Sequence, residues 1–241
     1  MTQPEDPREP RWSAEPPPPD HAPVGQRVTR VPAQRGGIDP TFGFLITLAL
    51  SIGLIPLIPA NTDLRYVVAW LAMAGFGVAA WLLGNTARIG RESTENLVWG
   101  VTFGLILAAP LLLAGGSTLE TTVDLLFRVE IDGQTQQLTA GSVLAMVAFA
   151  MPLAETLFFR GFVQQTQPLW LVGIYGSVWS VLLFFPTLDI IGFPVVAVII
   201  GTTLVMMNLI YAYVRQRNGL ASAWLCQIVV NLGVLFLPYL A

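Results

Sequence analysis

The sequence contains no lysine. All of its 12 basic residues are arginine, a bias that points to a GC-rich bacterial genome. Histidine occurs once, at His21, and cysteine once, at Cys226. A single cysteine cannot close an internal disulfide, and no CxxC or Cys/His cluster is present to hold zinc. Charge is scarce too. Asp, Glu, Lys and Arg make up 11% of the 241 residues, against roughly 25% in average soluble domains. No basic stretch with interleaved aromatics occurs, so nucleic acid is not an expected partner. The net charge of −3 favours no other class of partner.

What fills the sequence is apolar. Hydrophobic residues account for 54% of it, and its mean hydropathy is +0.65. From Ile190 to Val214, 25 residues pass without a charge, and about 20 apolar residues cross a bilayer as a helix. Backbone groups in lipid must find partners within the segment, so the spans are expected to be helices. The runs are too long and continuous for barrel strands. The chain reads as an all-α, polytopic transmembrane helical bundle, with the lipid bilayer as its first partner.

Residues 1–40 read as a separate, disordered, Pro-rich cytoplasmic tail, and residues 41–241 as the helical domain. The stretch PEDPREPRWSAEPPPPDHAP has too few aliphatic residues to bury a core. Its PPPP run has the form that docks in aromatic grooves, but a solvated tail is the expectation. The first apolar run begins only after about 40 polar residues, so no cleavable signal peptide is expected. Seven spans follow, near 42–59, 66–83, 97–114, 143–159, 170–186, 190–213 and 220–240. Pro168 and Pro186 bracket the fifth, and Pro186 should end or kink it.

Cytoplasmic loops favour arginine. With seven spans, the tail arginines, Arg88, Arg91, Arg160, Arg215 and Arg217 fall on one side. Arg65 and Arg128 fall on the other, with Glu120, Asp124, Glu130 and Asp132. The N-terminus is therefore expected inside and the C-terminus outside, in a multi-pass protein of a bacterial plasma membrane. In the outer segment 116–141, the Asp-Gly pair of RVEIDGQTQQLT suggests a hairpin or surface turn.

Glu155, in the stretch AETLFFRGFVQQ, is the first candidate for chemistry. A charge at mid-bilayer costs about 2.5–3.5 kcal/mol on insertion scales, so an intramembrane acid is a functional candidate by default. Glu155 is placed about one turn inside the cytoplasmic end of span four. The competing reading is a structural acid near the interface. On an α-helix, Glu155 and Arg160 lie about 140° apart, so each is expected to meet another helix rather than its mate. Pro152 removes one helical hydrogen bond nearby. Gln227 and Asn231, four apart in WLCQIVVNL, share one face of span seven. Interhelical hydrogen bonding explains such a pair without catalysis. Asp189 follows Pro186 and reads as a solvated or capping aspartate.

Together these stretches resemble the CPBP family of intramembrane proteases, also called the type II CAAX prenyl protease or Abi family. The family's first motif is EExxxR, and here ETLFFRG supplies Glu155 and Arg160, with Thr156 at the second Glu. Its second motif is FxxxH, and SVLLFFPTL places Phe184 at the Phe and Leu188 at the His. Its third is HxxxN or HxxxD, and QIVVN places Gln227 at the His and Asn231 at the Asn. The resemblance covers roughly residues 66–241 and implies Glu155, Arg160, Gln227 and Asn231 as site positions.

The same resemblance implies a Glu that activates water, histidines that position that water or a divalent metal, and an Asn that stabilises the oxyanion. Thr156, Leu188 and Gln227 depart from this. Leu188 has no lone pair, and the Gln227 amide does not titrate and is a poor zinc ligand. No metal or other cofactor is therefore expected. A positioned acid–base group contributes about 10²–10⁴ in rate, so losing both histidines is severe. The expected function is that of a catalytically impaired CPBP homologue, a scaffold, regulator or immunity-type partner of a membrane protein or peptide. The alternative is an active intramembrane endopeptidase, with Glu155 as general base and the amides of Gln227 and Asn231 as oxyanion donors. It requires these three to converge on a cavity open to the cytoplasm, which the scaffold reading allows Phe158 or Leu188 to fill. A third reading, a small transporter or channel subunit, finds no internal repeat and no second intramembrane charge for a relay.

Overall fold

A computed structural model describes residues 39–58, 63–83, 92–131, 134–188 and 192–241. Residues 1–38 of the expected tail, Arg88, Arg91, Asp189 and the Asp132–Gly133 turn lie outside the described residues.

Seven helices and one hairpin make up the described chain. Helix α1 (Pro40–Leu54) starts where Asp39 accepts a hydrogen bond from the Thr41 N–H at 2.9 Å, with Pro40 in its first turn. A capping carboxylate followed by proline is a strong helix start. Helix α2 is Asp63–Leu82. Helix α3 (Thr94–Leu126) is capped by Ser93 and broken at Gly116, whose φ of 43° belongs to the left-handed region that glycine tolerates. Strands β1 (Arg128–Ile131) and β2 (Gln134–Gln137) pair antiparallel, with Arg128 opposite Gln137. This is the hairpin suggested by the Asp-Gly pair.

Helix α4 (Ala140–Gln165) starts on a Thr139 cap. Helix α5 is Leu169–Leu188 and α6 is Pro194–Asn218. Gly219, at φ 105°, turns the chain into α7 (Leu220–Leu240).

Helices α2 to α7 are long and apolar enough to cross a membrane. Helix α1 has 15 residues and is shorter than the expected span 42–59. Leu71, Trp81, Ile106, Val195 and Val198 are exposed, a surface suited to lipid rather than water.

Three expectations about helix ends are corrected, the first at α3, which runs on to Leu126 rather than stopping near 114. Of the end or kink expected at Pro186, the end does not occur, and α5 runs two residues further. Proline leaves the carbonyl four residues back without its helical N–H. That carbonyl, of Leu182, accepts instead from Arg65 Nη2 of α2 at 3.0 Å. The fourth span does not stop near 159 but continues to Gln165, because Arg160 is buried and partnered rather than solvated.

Helix α7 packs along α3, α5 pairs with α6, and α2 lies against α4. The α3–α7 approach depends on Gly104, where a Cβ would stand 2.7 Å from Val229 Cβ and 2.9 Å from the Cys226 carbonyl oxygen. One apolar core joins α1, α2, α4 and α5 around Met73, Phe158, Trp179 and Leu183. A second joins α3, α6 and α7 around Leu107, Tyr211 and Cys226. A polar cluster lies where α4 meets α5, α6 and α7.

Candidate functional site

The backbone of α4 shapes this cluster. Two π-helical turns, Met146–Ala150 and Thr156–Phe162, flank the α-helical turn Met151–Glu155. In the first, the Met151 N–H donates to the Met146 carbonyl. The next bond of that series would join Pro152 to Val147, and proline has no N–H to give. Asn231 Nδ2 of α7 donates to the Val147 carbonyl instead, at 2.9 Å. Asn231 is thus committed to repairing the helix beside Pro152.

The second π turn overturns the expected separation of Glu155 and Arg160. Bonding from i to i+5 winds the helix wider and brings residues five apart onto one side. Arg160 Nη1 stands 4.0 Å from Glu155 Oε2. Each also meets other helices, as expected. Gln227 Nε2 donates to Glu155 Oε2 at 2.6 Å. Gln227 Oε1 accepts from Arg160 Nη1 at 3.3 Å and from Thr156 Oγ1 at 3.2 Å. A single amide thus bridges acid and base with its two ends. Arg160 Nη2 donates to Asn208 Oδ1 of α6 at 2.8 Å, and the guanidinium lies over the Tyr211 ring. Asn208 fits because α5 has no side chain at Gly176, where a Cβ would come within 2.9 Å of Asn208 Cγ.

The cluster is dry. Glu155 is 2% exposed, Arg160 and Asn231 1%, and Gln227 not at all. Nor is Glu155 one turn from a helix end. It precedes Gln165 by ten residues, about 15 Å at the helical rise. Its second oxygen, Oε1, has no formed hydrogen bond. The indole N–H groups of Trp70 on α2 and Trp179 on α5 border the same carboxylate, and neither makes a formed hydrogen bond.

Four of the expected site positions, Glu155, Arg160, Thr156 and Gln227, come together. Asn231 lies one helical turn along α7 from Gln227 and faces Val147 and Met151. Leu188 and Phe184 belong to the apolar core toward the end of α5. The α5 residue beside the carboxylate is Trp179, nine positions before Leu188. Asn208, Trp70 and Trp179 are the participants that sequence reasoning missed. Asn208 has a visible signal, a single amide in the uncharged run 190–214. The indoles have none, since membrane helices carry tryptophan freely.

The donor set does not fit a divalent metal. Zinc sites take His, Cys or carboxylates, usually three or more. Here one carboxylate stands among amides, and the Gln227 oxygen already accepts two hydrogen bonds. The chain was compared with family models, with curated proteins and with solved structures, and none of them matches it.

Proposed function

We propose that this protein is a CPBP-like integral membrane protein whose motif residues are used for architecture. It acts as a scaffold, regulator or immunity-type partner of a membrane protein or peptide, without hydrolysis. The observation that carries this reading is the Gln227 amide, bonded to Glu155 at one end and to Arg160 at the other. A general base must reach the proton that it removes. Glu155 is buried against Gln227, Arg160 and two indoles. An oxyanion needs free, aimed donors, and the Asn231 amide is committed to the Val147 carbonyl. The motif order in the sequence supports the family. The arginine distribution supports an inside N-terminus, with α1 as a short seventh crossing, in a bacterial plasma membrane.

One observation favours the endopeptidase as a second reading: Glu155 Oε1 has no formed hydrogen bond and is the atom that would take a proton from water. The two readings part in cells. Termini of membrane proteins are compared between cells with wild-type protein, cells with Glu155→Gln and cells with neither. The scaffold reading expects three identical profiles at equal expression. A terminus present only with wild type overturns it in favour of the protease.

A further inference from the structure

Three buried polar atoms from three helices are left over in one place. They are Glu155 Oε1 on α4, Trp70 Nε1 on α2 and Trp179 Nε1 on α5. Two are donors and one is an acceptor, and buried polar groups without partners are costly. Both indoles border the carboxylate, and both tryptophans are buried themselves. We propose that Trp70 and Trp179 form a two-indole lock that shuts the Glu155 carboxylate off from water and solutes.

The lock is braced. Trp70 stacks on Tyr66, with ring centroids 5.5 Å apart. The Tyr66 hydroxyl hydrogen-bonds Thr187 of α5 at 3.1 Å, and its ring lies against Phe184. Arg65 holds the Leu182 carbonyl of the same helix. One stretch of α2 therefore clamps α5 at three places, and closing α2 on α5 brings the two indoles together over the acid. Opening the carboxylate requires those helices to part.

The lock deepens the proposed function, yet it is read out without reference to proteolysis, so either reading can fail alone. The full chain in detergent micelles is treated with dicyclohexylcarbodiimide, which enters apolar regions. A carboxylic acid adds across its C=N bond, and the O-acylisourea rearranges to an N-acylurea that keeps every atom of both reactants. Modification of Glu155 is followed by peptide mass spectrometry, with Glu155→Gln as the blank. Alanine removes the ring and leaves the helix backbone unchanged. Wild type is expected to label slowly, and Trp70→Ala with Trp179→Ala roughly tenfold faster, because the rings that cover the carboxylate are gone. Each single variant is expected to fall between them, so the lock stays testable if the double variant does not fold. Leu107→Ala opens a gap in the second core, which contains no tryptophan, and is expected to leave the rate near wild type. Equal labelling of wild type and the tryptophan variants overturns the lock. So does a Leu107→Ala rate that matches theirs, since general loosening then explains the access.

Discussion

Helix α7 is held on two sides by opposite means. Toward α3 it meets absence, since Gly104 leaves no room for a side chain and the two backbones close directly. Toward α4 it meets chemistry: Gln227 bridges Glu155 and Arg160, and Asn231 takes up the Val147 carbonyl. In lipid, apolar side chains gain little by leaving their surroundings for another helix. Association therefore relies on close packing of small residues and on interhelical hydrogen bonds. The glycine contact fixes a distance and tolerates rotation. The hydrogen bonds fix the rotation and register of α7, because each needs one particular atom opposite another.

The comparison breaks most sharply at Arg160. Arg160→Met leaves the Glu155 carboxylate buried without its counter-charge, and unfolding in mixed micelles is expected to lose about 3–5 kcal/mol. Adding Glu155→Leu to that variant should recover part of the loss, because a buried pair replaced jointly by apolar groups is often neutral. A double variant weaker than Arg160→Met alone would mean that the carboxylate has a role beyond its pairing. Gly104→Val tests the other side. Overpacking there is expected to cost about 1–3 kcal/mol and to lower the thermal midpoint while leaving the labelling of Glu155 slow. Asn231→Leu orphans the Val147 carbonyl and should cost about 1–2 kcal/mol.

The smallest effect sits at the start of α7. Glu92 accepts there from the Ala221 and Ser222 N–H groups at 2.9 and 3.0 Å. Glu92→Ala removes this cap, at about 1 kcal/mol, and should speed amide exchange at Ala221 and Ser222 first.

Much of the bundle was legible in the sequence because apolar run length depends on composition alone. The helices α2 to α7 lie close to where those runs stand, except that α3 runs twelve residues past the expected end near 114. The ends were less legible, for reasons that lie in other helices. Pro186 reads as a stop or a kink, and only Arg65, 121 residues earlier, supplies the missing donor. Arg160 reads as an interfacial charge, and only Asn208 and Gln227 make it an interior one. Within the site, Gln227 stood out by its motif position. Its partners did not follow from an α-helical wheel, since α4 is not α-helical between Thr156 and Phe162. The same turn explains why a five-residue spacing reads as two separate faces on an α-helix. The second motif shows the limit of pattern matching without depth. Leu188 fits the spacing, while Trp179 is the residue beside the acid.

That wide turn separates two things that look like one. Glu155 and Arg160 are neighbours across five residues, but an ordinary helix makes neighbours of residues four apart. Deleting one residue between them, Phe158 for example, would let the segment rewind and keep the ion pair. Everything after Arg160 would then face elsewhere. Gln164 would leave the Ala212 carbonyl, and Arg215 would lose the Arg160 carbonyl. The extra residue therefore does not serve the acid. It aims the end of α4 at α6, so a lineage could gain or lose that docking by a single codon while its charged pair passed through unchanged.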